Sequence, residues 1–438
     1  MKKMKFGKLT WSVLAAAVIV FSACSDDDPD PVGNGGLSGV LPNNTELVGD
    51  ITEDVTLSAG NTYTLRGGVH VKDGATMTIG EGVTVRAITN SRTDFANTAY
   101  LLIERGAKIE AIGTADRPIV FTSNSATPAP QDWGGIIVCG AAPINNQGGE
   151  NQSEMGGQGV MYGGTNANDN SGTLRYVRVE YTGKKQSAEA EHNGFTFEGV
   201  GAGTTLEYLA VYKGADDGIE FFGGTANLRY AFVNGAQDDL FDYTFGWSGK
   251  GQYWVGIQGD DVADRGIEAD NNGDNHGLRP LSNPILSNVT LVGSREAMTN
   301  DNPDNATEAD KGKTIGLKLR AGTGGQLHNF VIYGFNHGID VQHDLTVANL
   351  PTGDLKVANT DLYGPNLFKF APEVANPWTT ITTSAEDTPS YMNGYVGTST
   401  EGAINPSTLD SWFQGGNFKG AVEASNNWVT QGNWARLD

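Results

Sequence analysis

The stretch that decides the fold reads His192-Asn193-Gly194-Phe195, then Asp216-Asp217-Gly218-Ile219-Glu220, then Asp238-Asp239-Leu240-Phe241-Asp242, then Asp264-Arg265-Gly266-Ile267-Glu268. The leading Asp recurs after 238 − 216 = 22 and 264 − 238 = 26 residues. A unit that short, returning as polar turn then apolar strand with no helical pattern between, predicts a solenoid of β-coils. The theme returns at Asn336-His337-Gly338-Ile339-Asp340. A second series keeps phase with the first: Leu174-Arg175-Tyr176-Val177, Leu206-Glu207-Tyr208-Leu209, Leu228-Arg229-Tyr230-Ala231, Leu286-Ser287-Asn288-Val289 and Leu327-His328-Asn329-Phe330. Two strand families sharing one period predict two faces of one prism, each a parallel sheet built from successive coils.

Upstream, Val55-Thr56-Leu57, Thr62-Tyr63-Thr64-Leu65, Val69-His70-Val71 and Met77-Thr78-Ile79 alternate between Gly60, Gly67-Gly68 and Gly74. These are short period-2 strands with tight turns, so the coils begin near residue 50. Sixty glycines and 9% aromatics in 438 residues suit a chain that turns often and needs positive φ. Segments 141–172 and 293–313 break the rhythm and read as loops projecting from the stack. Beyond residue 345 the pattern dissolves, and residues 346–438, with Trp378, Trp412, Trp428 and Trp434, are expected to cap the last open coil.

Residues 1–24 carry a basic start, an apolar run from Trp11 to Phe21, and Ser22-Ala23 before Cys24. That pattern is a signal peptide, too short to be a stable membrane span. The small residues before Cys24 resemble a bacterial lipobox, which implies a lipid on Cys24 as the mature first residue. Ser25-Asp26-Asp27-Asp28 resembles the lipoprotein export signal of Bacteroidota, which implies display on the outer face of the outer membrane. Residues 25–46 then form a flexible acidic and Gly/Pro tether. The formal net charge of −22 disfavours nucleic acid or anionic lipid as a partner and suits divalent cations. The remaining thiol, Cys139, lies in the apolar run Ile136-Ile137-Val138 and reads as a small core residue.

The strings GTADRPIVFTS (113–123), DWGGI (132–136), GADDGIEFFGG (214–224) and GAQDDLFDYTFGW (235–247) look like the β-helix surface lipoproteins of Bacteroidota. More broadly they resemble the right-handed parallel β-helix, or pectin-lyase-like, superfamily. The resemblance covers about residues 50–345 and implies an all-β fold, a right-handed parallel β-helix over residues 47–345. It leaves function open, because that superfamily includes polysaccharide lyases, glycosidases and adhesins. Asp216-Asp217 looks like the Asp-Asp strand of polygalacturonases, and Asn275-His276-Gly277 or Asn336-His337-Gly338 look like their His element. Their Arg-Ile-Lys element is missing. A lyase would need Ca²⁺ and a base, for which Arg265, Arg279, Lys318 and Arg320 are available.

Side chains alternate along a coil, so with Ile219, Phe241, Ile267 and Ile339 inward, Glu220, Asp242, Glu268 and Asp340 point out. Stacked coils bring such carboxylates together, and Asp216, Asp217, Glu220, Asp238, Asp239 and Asp242 form a possible Ca²⁺ site. The same Asp residues can equally be turn formers bonding their own backbone. Trp247 and Trp254, with Phe222, Tyr243 and Tyr253, could serve as sugar-stacking platforms beside Glu268, or pack inside the coils. The expectation is a surface module that binds glycan or an outer-membrane protein partner without catalysis. The alternative is a polysaccharide lyase or glycoside hydrolase.

Overall fold

The computed structural model describes residues 36–438, except 91–93, 95–96, 158, 187–189, 300–306, 308 and 310. Cys24 and the export signal Ser25 to Asp28 lie outside the described residues, as does most of the tether. The body is one sheet of 26 strands, and its strand pairings are parallel. It is a right-handed parallel β-helix, the solenoid that the period predicts with the hand that the resemblance implies. One coil shows the plan. Phe195–Glu198 lies on a first face, Thr205–Tyr212 covers a second and a third, and Ile219–Phe222 returns to the first one coil later.

The prism therefore has three faces, where the sequence predicted two. The strand that reads Leu206-Glu207-Tyr208-Leu209 bends at Tyr208, whose φ is 54°. Tyr176, Tyr230, Tyr253, Asn288, Asn329 and Asn359 bend in the same way in their own coils, with φ between 52° and 62°. A left-handed residue with a side chain costs about 1–2 kcal/mol, so the corner needs compensation. The stack supplies it: tyrosine rings 176 and 208 lie 4.2 Å apart, 208 and 230 lie 4.3 Å apart, and 230 and 253 lie 5.0 Å apart.

Inside, alternation holds as expected. In Ile219–Phe222 the first and third residues are buried and the second and fourth partly open. The glycine of the repeated turn has a stacking role. A Cβ on Gly218 would stand 2.5 Å from the Leu240 carbonyl oxygen of the next coil, and one on Gly194 the same distance from Gly218. Only a residue without a side chain lets the coils approach at this row.

The coils extend beyond both expected boundaries. Gly39–Leu41 already pairs with Val55–Leu57. After a short helix, Asp344–Thr352, the strands Leu355–Ala358, Thr360–Tyr363, Asn366–Ala371 and Ile381–Ser384 still add in parallel. Trp378 joins the main core beside Phe368 and Phe370, at the place expected of a cap residue.

Residues 385–438 do something else: they run back along the outside of the third face. Ala421, Val422, Trp428, Val429 and Trp434 pack on Ala210, Phe232, Tyr253 and Val255. Asn359 Nδ2 donates to Gly402 O and Asn329 Nδ2 to Ile404 O, each at 2.8 Å. Asn288 Nδ2 donates to Gly416 O at 2.8 Å and Phe418 O at 2.6 Å. Trp434 meets Tyr176 and Tyr208 edge-on, and Asn433 N reaches Ala115 O at 2.8 Å. The reason lies in the third face, whose outward residues Ala210, Phe232, Val255 and Val331 are apolar. A strand apolar on both sides needs a covering layer, and this returning strap provides it.

Candidate functional site

The first face carries the chemistry. Its outward row reads Thr196, Glu220, Asp242, Glu268, Lys318, Asp340 and Lys369, each the register partner of the next. Stacking at ~4.8 Å lines up their carboxylates. Just before each strand the turn adds Asp216 and Asp217, Asp238 and Asp239, then Asp264. Carboxylate oxygens of Asp216, Asp217 and Asp238 all lie within 4.8 Å of one another. The same holds for Asp217, Glu220 and Asp242, for Asp238, Asp239 and Asp264, and for Asp239, Asp242 and Glu268. The structure thus gathers all six acids singled out in the sequence.

Both readings of these acids find support. Asp217 Oδ1 accepts the Asp239 N–H at 3.0 Å, and Asp239 Oδ1 accepts the Arg265 N–H at 2.8 Å. These two oxygens tie coil to coil, which is the turn-forming role. Glu220 accepts 2.6 Å from Asn193 Nδ2, and Asp242 Oδ1 is buried with no hydrogen-bond partner. Burial first, and then neighbouring carboxylates, push Asp216, Asp217, Glu220, Asp239 and Asp242 well above the usual carboxylate range. The chief neighbour is Asp238 for Asp216, Asp239 for Asp217, Asp242 for Glu220, and Glu268 for Asp242. Such a cluster is relieved by protons or by a cation. The triads contain carboxylates alone, the donor set that suits Ca²⁺ rather than zinc or copper.

A cleft of about 290 Å³ opens over Asp216, Asp217, Glu220 and Asp238. The 141–172 excursion forms one wall of it with Glu154 and Met155. Its strands Glu150–Gln152 and Met161–Gly163 pair antiparallel, and Ile144, Met155, Val160 and Tyr162 cover the outward apolar residues Leu102, Ile137 and Cys139. Cys139 is thus buried as expected, but beneath this hairpin. Its thiol meets Glu198 Oε2 at 3.1 Å, and burial pushes that carboxyl up to about 7. In the 293–313 excursion, Met298 bridges Val262 and Lys311, and much of the remainder lies outside the described residues.

Two expected sugar contacts are corrected. Trp247 and Trp254 are 0% and 1% exposed, stacked on Phe221 and Phe241 inside the coils. Their indole N–H groups donate to Ala226 O and Leu228 O. Glu268 does face outward, but Lys318 Nζ at 2.9 Å and Arg320 hold it. Replacing Trp254 by alanine should therefore cost about 3–5 kcal/mol of stability in a denaturant titration. A platform residue would leave stability nearly unchanged. His276 packs on His343 with ring centroids 4.6 Å apart and is a member of none of the acidic triads. Sequence reasoning missed Glu154, which lies outside the repeat unit, and the role of Asn193, which holds the place of Asp217 in its own coil. It also missed the basic continuation of the row, although Lys318 stands one 22-residue interval before Asp340 (340 − 318 = 22).

A β-helix whose outward row carries overlapping carboxylate triads belongs among the pectate-lyase-like solenoids in architecture. The comparison with protein families agrees: the pectate-lyase-like β-helix domain matches residues 49–417, and the chain belongs to that family. No match was found among curated proteins or among solved structures.

Proposed function

We propose that the protein is a non-catalytic glycan-binding module that holds Ca²⁺ between the acids of its first face. The leader and Cys24 support anchoring in the outer membrane by lipid, facing outward. The observation that carries the binding reading is the state of the cations beside the acids. An elimination reaction needs a base free to take a proton. Arg265 lies against Asp264 and Lys318 lies on Glu268, while Arg279, the exposed candidate, donates to the carbonyl of its neighbour Leu278. Arg320 contacts Glu268 and Asp270; burial opposes its charge, but these two acids outweigh it and raise its pKa.

The raised carboxyls favour the second reading, since a protonated acid beside an ionised one is the pair that glycoside hydrolysis uses. Glu220 and Asp242 would then be that pair. Incubation of the purified protein with a panel of neutral and uronic-acid polysaccharides separates the two. Ca²⁺-dependent retention without new reducing or unsaturated ends is expected. New ends that Glu220→Gln abolishes would establish the hydrolase or lyase instead.

A further inference from the structure

The hairpin that walls the acidic cleft is held down at one buried carboxyl. Glu198 ends a strand of the first face, and it is 1% exposed. Its Oε2 accepts from the thiol of Cys139, its register partner one coil back, at 3.1 Å. Its Oε1 accepts from the hydroxyl of Ser153, on the hairpin, at 3.0 Å. Ser153 in turn fixes the hairpin tip: its Oγ accepts the Gly156 N–H at 3.0 Å, and its own N–H donates to Val160 O at 2.8 Å. The tip closes tightly on the coils, since a Cβ on Gly156 would stand 2.8 Å from Leu102 Cδ1. The other contacts beneath it, Met155, Val160 and Tyr162 on Leu102, Ile137 and Cys139, are apolar.

The groups around this carboxyl do not favour its charge. Cys139 lies one coil back, Glu220 stands on the next coil, and the hairpin brings Glu154 and Tyr162. Two coils back are Glu104 and Arg105, and Arg105 is occupied by Glu150 and by Gly163 O at 2.8 Å. Burial pushes the Glu198 carboxyl up to about 7; the Cys139 and Ser153 hydrogen bonds offset this only in part, and Glu154 adds to it. Burial, and then Glu198, also raise Cys139 and Tyr162, so both stay neutral.

We infer that the hairpin is a lid on the acidic cleft, latched by Glu198 while that carboxyl is protonated and released when it ionises. As a control on ligand access this rests on the binding reading above. Lifting the hairpin withdraws Glu154 and Met155 from the cleft and places Glu198 in water. There a glutamate titrates near pH 4.3. Below about pH 4.3 the open and closed forms both hold the proton, and the latch is strongest. From there up to about 7, the closed value, opening releases one proton, so the open fraction rises about tenfold per pH unit. At higher pH both forms are ionised and the lid equilibrium no longer changes.

Hydrogen exchange of the full-length protein, in chelator at pH 5, 6 and 7, tests the latch. Protection over residues 150–163, corrected for the intrinsic exchange rate, is compared with that of the strand Thr205–Tyr212. The hairpin is expected to lose about tenfold in protection per pH unit relative to that strand. Glu198→Gln keeps an acceptor for the Cys139 thiol and gains a donor for Ser153. It should abolish the slope and leave the hairpin protected at pH 7, whereas Glu154→Gln should keep the slope. Cys139 gives a second readout, because the lid covers it. At pH 7 a maleimide should label it at least about tenfold faster in the wild type than in Glu198→Gln, with the site assigned by peptide mass so that Cys24 is not counted. A hairpin indifferent to pH, an equal slope in Glu198→Gln, or a slope shared by Thr205–Tyr212 would overturn the latch. Ca²⁺-dependent polysaccharide retention surviving such a result would leave the binding reading standing. A working latch in a protein that retains no polysaccharide would keep the latch and remove that reading.

Discussion

In chelator, the melting temperature is expected to fall as rising pH strips the protons from the clustered carboxyls of the first face, and millimolar Ca²⁺ is expected to lift it again. The sign follows from the carboxyls. Asp216, Asp217, Glu220, Asp239 and Asp242 have folded pKa values well above those of the unfolded chain. Between the two values the native state binds more protons, so stability falls as pH rises from about 4 through the raised values. Buried histidines work the other way. Burial lowers His192 to about 3 and also lowers His328, His337 and His343. Their contribution grows as pH rises toward 6.5 and is complete above about 7. A fall with rising pH thus belongs to the acids, since the histidines act in the opposite sense. A cation replaces the shared protons, and binding adds RT ln(1 + [L]/Kd), about 2.7 kcal/mol at a hundredfold excess over Kd. Asp242→Asn should flatten the pH slope and reduce the Ca²⁺ response together. A melting temperature indifferent to Ca²⁺ in both proteins would return the acids to a purely structural role.

Replacing Lys419 by methionine is expected to destabilise the protein by about 3–5 kcal/mol. Lys419 Nζ lies 2.6 Å from Asp361 Oδ1 and 3.2 Å from Thr382 Oγ1, and both charged side chains are almost wholly buried. Tyr391 donates to the other Asp361 oxygen at 2.5 Å. Removing the lysine strands a carboxylate between the strap and the last coils. Urea titration measures the loss. A second variant, Lys419→Met with Asp361→Asn, should recover much of it, because removing both charges spares the stranded one. A loss below 1 kcal/mol in the single variant would mean that the strap is held by its apolar contacts alone.

How far the sequence could be read depended on what repeats. Asp216-Asp217-Gly218 and its echoes gave the period, the inward and outward alternation, and the six clustered acids. They gave these because each coil solves the same packing problem with the same residue types. Tyr208 was harder. Its left-handed corner is stabilised by stacking on Tyr176 and Tyr230, a cooperative effect that a single coil does not reveal, so two faces were expected where three exist. Trp247 and Trp254 misled because an aromatic ring suits a sugar and a core equally. The direction of the side chain decides, and Trp247 sits after a turn where alternation is interrupted. The strap was hidden for another reason. Its segments follow no period, and their partners Asn288, Asn329 and Asn359 look like ordinary turn residues. The apolar outward positions Ala210, Phe232 and Val255 were the available sign that something covers them.

The strap also changes how the molecule comes apart. In a stack of coils each unit touches only its neighbours, so such arrays can fray from an end, one unit at a time. Here a single tail touches the coils carrying Asn359, Asn329, Asn288, Tyr230 and Tyr176, and it reaches back to Ala115. Opening the terminal coil means lifting contacts on units far from it. The span from Ala115 to Ser384 is consequently expected to unfold as one cooperative block, and the earlier coils from Gly39 to Ile112 are expected to keep the looser, stepwise character of an open stack.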